Sequence, residues 1–313
     1  MKILLLFTGI LAGVCSSPAG PSALVDISPH FSTNVEIVWQ APTSHLPKVF
    51  WIYKITPRVF SATTISNAIV LASFQDKGFP KPSTNQVILS DRFEGEMEPP
   101  HFMILPDVGQ LSYTLGDRVS DSLKDVLTNE TAVNHAWDCL GRFGIDRSEF
   151  VKTNAAVVGL AGVFLPRQID GIQDYFNGQG FQFQQFSTNG KIRAFCLLWP
   201  KLKRAESSPA ASPQQIIACI RGHRVMVLPE GNEGRHYFAQ LNHLGEPKRL
   251  TITKITPYYT EGVFGEVPTD NEPPQFVTPF AELEAVANFG NSNVTTRLVS
   301  PILSSDINRL LKE

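Results

Sequence analysis

Arg167 and Asp170 stand three apart at the start of a strand pattern, beside Gly171. A guanidinium and a carboxylate at that spacing suit either a structural pair that fixes a turn or a groove in which the two recognise or protonate a ligand. A second candidate surface is aromatic: Phe181, Phe183, Trp199, Tyr258 and Tyr259 fall on strand patterns, with Gln182 and Gln184 between the first two. Aromatic rings supply contact area and amides supply adaptable hydrogen bonds, a combination suited to peptide or glycan binding. No GxSxG or HExxH motif occurs, and no CxxC pair. The seven histidines are scattered, and His236 and His243, two helical turns apart, have no carboxylate between them. That arrangement lacks the donor set of a zinc site. Gly178-Gln-Gly180 has no third glycine for a dinucleotide loop and reads as a hairpin turn. The acidic cluster Asp91, Glu94, Glu96 and Glu98 runs into Pro99-Pro100, and Asp270, Asn271 and Glu272 run into Pro273-Pro274. Both read as solvated loops, because a cation site needs converging oxygens. No catalytic residue, metal or cofactor is expected.

The elements that must position these residues follow from periodicity. Strand patterns at 35–39 and 48–55 precede a helix capped by Ser61, with Ile65, Ala68, Ile69 and Ala72 on one face and Gly78 with Pro80 ending it. Strands are expected at 86–90, 102–105 and 110–115. A second helix starts at Thr128 or Asn129, buries Ala132, Ala136, Leu140 and Phe143, and stops at Gly144. Strands at 155–164, 169–175, 181–186 and 191–199 follow, the last two joined by Asn189-Gly190, a dipeptide that accepts the positive φ angles of a tight hairpin. In the last of these, Ile192, Ala194, Cys196 and Leu198 alternate with Phe195, Leu197 and Trp199, so both faces are expected to be covered. The stretch 201–214 reads as an exposed linker. Ser212 and Pro213 then start a third helix with Ile216, Ile217 and Ile220 inward. An amphipathic stretch at 236–244, strands at 249–257, 276–287 and 293–303, and a short helix at 305–311 complete the chain. Helices followed by strands, without strand–helix–strand alternation, predict an α+β fold of tandem units, each a helix packed on an antiparallel β-sheet, at 35–120, 128–204 and 212–313.

The chain has 313 residues, 42% hydrophobic and 18% charged, with a formal charge of −2. That balance excludes disorder and lacks the basic footprint of a nucleic-acid binder. Lys2, the apolar run 3–14 and Pro18 read as a secretory signal over 1–19, cleaved after Ser16 or Ala19, and the run is too short for the about 20 residues that span a bilayer. The expected location is secreted or periplasmic. Val14 and Ala12 before Cys15 do not match lipoprotein processing. Cys139, Cys196 and Cys219 remain after cleavage, each flanked by apolar residues, and read as buried thiols, with a Cys139–Cys196 bridge as the alternative.

The order of the helix with Ala132 and Ala136, then Arg167-Gln-Ile-Asp170-Gly171-Ile, Gly178-Gln-Gly180, Asn189-Gly190-Lys191-Ile and a strand ending in Trp199 resembles the PepSY-like units of exported bacterial proteins, including regulatory ectodomains of the YycH and YycI type. Ile255-Thr-Pro-Tyr258-Tyr259 and Phe276-Val-Thr-Pro279 are similar to the final unit of such ectodomains. The resemblance covers residues 130–303 and leaves 35–116 without a counterpart. It implies a helix on a curved antiparallel sheet, in tandem units, and noncatalytic binding or regulation. It transfers no catalytic residue.

The function expected is therefore that of an exported noncatalytic binding or regulatory protein. It would recognise a protein or peptide partner in the cell envelope through a sheet face or edge, with Arg167, Asp170, Phe181, Phe183, Trp199, Tyr258 and Tyr259 as candidate binding residues. No nucleic acid is expected as a partner, and a membrane only through an uncleaved signal. The alternative is an exported hydrolase whose acid and base come from distant loops and leave no linear motif.

Overall fold

The computed structural model describes residues 34–72, 87–90, 101–114, 129–151, 156–158, 162–174, 179–185, 192–228, 246–261 and 275–310. The expected signal at 1–19, the acidic clusters, Gly178, Asn189-Gly190 and the 236–244 stretch lie outside these residues. In chain order the elements are β1 (Glu36–Trp39), β2 (Val49–Thr56), α1 (Ala62–Leu71), β3 (Val87–Ser90), β4 (His101–Leu105), β5 (Gln110–Thr114), α2 (Asn129–Arg142), β6 (Ala156–Val158), β7 (Gly162–Pro166), β8 (Gln168–Ile169), β9 (Ile172–Gln173), β10 (Gly180–Gln185), β11 (Ile192–Leu198), β12 (Lys201–Pro209), α3 (Pro213–Arg221), β13 (Met226–Leu228), β14 (Arg249–Glu261), β15 (Phe276–Asn288), β16 (Asn293–Pro301) and α4 (Ser304–Leu310). The fold is α+β, with sheets that are antiparallel apart from the parallel pair β1–β14.

The described residues divide into two compact units, one formed by Ile55–Leu202 and the other by 34–54 with the chain from Lys203 onward. The first holds a seven-stranded sheet in the order β3-β4-β5-β11-β10-β7-β6, so β3 to β5 and β6 to β11 join one sheet across α2. The helices cover one face because their apolar stripes demand it. Ile65, Ala68 and Ile69 of α1, Ala132, Ala136 and Leu140 of α2 and Phe143 just after it enter one core with Phe102, Ile104, Leu111, Phe181, Phe195 and Leu197 of the strands. Ser61 caps α1 by accepting from the Thr64 N–H at 3.0 Å. Thr64 Oγ1 in turn donates to the Phe143 carbonyl at 2.9 Å, so α1 satisfies a carbonyl that the end of α2 leaves unpaired. Gly144, at φ 70°, terminates that helix.

The other face of the sheet carries the alternate residues. Met103, Ser112, Cys196 and Gln182 follow one another across β4, β5, β11 and β10 in register. Met103, Ser112 and Cys196 are buried, as are Phe195 and Leu197 on the helix side, so β11 is covered on both faces as its sequence predicts.

In the second unit the sheet runs β1-β14-β15-β16-β13, with β2 paired to β15 and to β12. Val277, Ala281, Leu283 and Ala285 of β15 are buried, with Leu283 opposite the buried Leu298 of β16, and Ile216 and Ile220 of α3 are buried as well. Ser212 and Gln215 form a capping box at the start of α3, and Gln215 Nε2 also donates to Ser304 Oγ at 2.7 Å, which ties α3 to α4. The stretch expected to be a linker is the nine-residue strand β12. Lys201, Lys203, Glu206 and two serines have poor strand propensity, yet at an edge the backbone ladder to β2 sets the conformation and most side chains stay in water. Thr56 Oγ1 donates to the Lys201 carbonyl and the Ala210 N–H to the Lys48 carbonyl, each at 3.0 Å, so the two strands run in opposite directions.

Candidate functional site

Arg167 follows β7 and is 4% exposed, so its charge is satisfied by the protein and not by water. One terminal nitrogen donates to Gln179 Oε1 at 3.0 Å and to the Pro200 carbonyl at 2.8 Å, and the other to Glu149 Oε2 at 3.1 Å. Trp199 Nε1 donates to the same Glu149 oxygen. Glu149 is held there by a single turn, Arg147–Glu149, that Asp146 caps by accepting from the Ser148 N–H at 2.9 Å. Those hydrogen bonds from Ser148 hold the Asp146 carboxyl below its ordinary value. Above the indole lies a second guanidinium, Arg58, 3.3 Å from the ring centroid of Trp199. Burial, then the positive charge of Arg167, lowers the Arg58 pKa to about 10, and Glu149 opposes the shift. Two arginines, a carboxylate, an amide and an indole thus form one cluster at the end of β11.

Asp170 lies elsewhere in the same segment. It is exposed, with φ 51°, and Gly171 follows at φ 77°. These are the two central residues of a tight turn joining β8 to β9, in which Ile169 faces Ile172 and Gln168 faces Gln173. Backbone bonds close the base of this hairpin: the Arg167 N–H donates to the Gln179 carbonyl at 3.0 Å and the Asp174 N–H to the Arg167 carbonyl at 2.8 Å. The turn-fixing reading of Arg167 and Asp170 therefore describes their placement, with Arg167 anchoring the hairpin's base and Asp170 making its tip.

The aromatic candidates separate by exposure. Phe181 and Phe183 are core residues, 0% and 3% exposed, because the alternation of β10 turns both toward the helices. Their rings are 6.0 Å apart, and Phe181 meets Phe143 edge-on at 6.0 Å. An open aromatic sheet face at these positions is thereby corrected to a packed core. Tyr259 is likewise buried, edge-on to Tyr53 at 5.7 Å, with its hydroxyl donating to the Trp51 carbonyl at 3.1 Å. Tyr258 is half-buried and stacks across the strand pair on Phe280 at 5.6 Å. Of the seven candidates, Arg167 and Trp199 meet at Glu149, whereas Tyr258 and Tyr259 belong to the other unit.

Glu149, Gln179 and Arg58 carried no signal in the sequence, since Glu149 is 18 residues from Arg167 and 50 from Trp199. The edge strand β12 did carry one, the alternation Lys201-Leu202-Lys203, which matches a half-exposed strand. Its Arg204 lies 5.0 Å from the Trp51 ring centroid and reaches the Tyr53 hydroxyl at 3.5 Å. Lys201, Lys203, Ala205, Glu206 and Ser207 are all exposed.

Cys139, Cys196 and Cys219 are free and buried, so the Cys139–Cys196 bridge does not form. Burial pushes the Cys139 thiol well above its ordinary pKa and Cys219 to about 11. Since the thiolate is the reactive form, Cys139 and Cys219 are expected to resist alkylation in the native protein at neutral pH, as is Cys196 through its burial alone, and all three to react fully once denatured. Peptide mapping after pulse alkylation checks this, and native modification of any of the three would contradict it. Among the described residues no group of three or more His, Cys, Asp or Glu is placed to hold a metal ion. Also among them, no helix is long and apolar enough to cross a membrane. The chain matches no protein-family model and no curated protein.

Proposed function

We propose that the protein is an exported, noncatalytic binding or regulatory protein that recognises a protein or peptide partner through a sheet edge. Strand β12 supports this reading: among the described residues it pairs with β2 alone and exposes most of its side chains. A row of backbone donors and acceptors at such an edge can receive an added strand, with side chains of the edge setting the choice of partner. Tandem helix-on-sheet units, and the PepSY-like resemblance of residues 130–303, are the architectural part of the proposal. The part-buried Arg167–Glu149–Trp199 cluster fits a structural role in it, because the buried Arg167 is paired with Glu149 and hydrogen-bonded within the protein.

A photo-crosslinking residue at Ser207, exposed on β12, tests the reading in producing cells, with Val70, exposed on α1, as the control position. A discrete adduct from Ser207 and none from Val70 is expected. Absence of any β12 adduct, together with hydrolysis of a peptide or glycan that depends on the cluster around Arg167, would replace the reading with the hydrolase.

A further inference from the structure

We propose that the segment received by β12 is an extended peptide with acidic residues at alternate positions, an inference that rests on the edge-binding reading above. The strand carries three cations, Lys201, Lys203 and Arg204, against the single carboxylate of Glu206. Lys201 and Lys203 are two apart and so project from the same face of the strand, about 7 Å from each other. Both are exposed, and among the described residues neither has a carboxylate within ion-pair distance. An added strand with Asp or Glu at alternate positions repeats the same spacing and sets a carboxylate opposite each lysine, the favourable arrangement for a cross-strand pair. Arg204 and Glu206 project from the opposite face, where Arg204 is already engaged with Trp51 and Tyr53. The lysine face is thus the one left to choose the partner.

The accessible length of the edge selects against a second copy of the chain. Beyond β12 the Ala211 N–H donates to the Ile302 carbonyl at 2.8 Å, and Ala210 forms a bridge with Leu303. Ser208 Oγ is engaged with Ser305 Oγ at 3.0 Å. These contacts close the edge at its C-terminal end and leave 201–207 for an incoming strand. Two copies pairing antiparallel over 201–207 would set Arg204 opposite Arg204, and like charges directly opposed are unfavourable. An acidic segment meets no such repulsion.

The test uses the full chain and a fluorescent peptide of alternating Thr and Glu as long as β12, followed by anisotropy. Controls are the same peptide with N-methylated backbone amides and a peptide of alternating Thr and Lys. Wild type is expected to bind the Thr/Glu peptide and neither control. Lys201→Glu with Lys203→Glu should weaken that binding about tenfold or more and bring in the Thr/Lys peptide, with an unchanged melting temperature. Equal binding of the N-methylated peptide would show attraction without strand addition and overturn the proposal. So would an unaffected double variant. Absence of peptide binding combined with self-association of Lys201→Thr/Lys203→Thr would make the lysines guards against edge pairing, again overturning it. A Ser207 crosslink obtained alongside failed peptide binding would defeat only the acidic partner, whereas loss of both would defeat the edge reading itself.

Discussion

Arg167→Ala is expected to lower the unfolding free energy by about 3–5 kcal/mol, the range found when one member of a buried ion pair is removed. Three acceptors each lose a donor at once: Glu149 Oε2, which keeps Trp199, Gln179 Oε1 and the Pro200 carbonyl. Gln179 is 0% exposed, so water does not replace what it loses without rearrangement. The chain segments affected are far apart in sequence, since Pro200 is 33 residues from Arg167. Arg167→Lys is expected to recover only part of the loss, because an ammonium cannot serve three acceptors in the fixed planar fork of a guanidinium. Glu149→Gln should cost less than Arg167→Ala, since the amide oxygen of a glutamine can still accept from Arg167 and Trp199, whereas alanine removes every donor. Urea titration monitored by tryptophan emission gives all three values. Equal losses for Arg167→Ala and Glu149→Gln, or a loss under about 1 kcal/mol for Arg167→Ala, would show that the cluster does not anchor the hairpin base as described.

Phe195→Ala is expected to be of similar size, about 3–5 kcal/mol, through a cavity and not through lost charge pairing. Phe195 is 1% exposed, with ring centroids 5.2 Å from Phe143, at the C-terminal end of α2, and 5.8 Å from Tyr113 of β5. Its ring therefore joins a helix to two central strands, and its removal leaves a void that neither neighbour can close without moving a backbone. Phe195→Leu keeps most of the volume and should cost about 1.5 kcal/mol. Denaturant midpoints of the two variants distinguish the cases. Near-equal effects would mean that the core relaxes around the site, contrary to the packing seen here.

These two positions show why the sequence was legible at some points and silent at others. Phe195 belongs to a period-two pattern in β11, and its burial could be read without knowing its neighbours. Arg167 could be picked out by its place beside Asp170-Gly171, but its partners could not. Glu149 comes from a single capped turn, and the Pro200 carbonyl from the chain leaving β11. No periodicity links them. The same distinction separates the aromatic candidates: alternation identifies Phe181 and Phe183 as sharing a face, while only the helices lying over that face make it core and remove it from a binding surface.

The sequence by itself determined the apolar stripes of the helices, their capping at Ser61 and Ser212 and the alternation in most strands, whereas it ran one strand over 169–175 where the structure turns at Asp170-Gly171. The stripes, caps and alternation rest on interactions within a few residues, where chain connectivity already supplies the geometry. Only the tertiary structure decided that the strands on both sides of α2 share one sheet, and that Lys201–Pro209 is an edge strand where its composition suggests a linker. It alone brought Arg58, Glu149, Arg167 and Trp199 together. Pairing between distant strands is fixed by backbone hydrogen bonds, which every residue type but proline can make on both sides, so residue types leave the choice of partner strand open. What settles it is which faces the helices must cover, a property of the whole core and of no single segment.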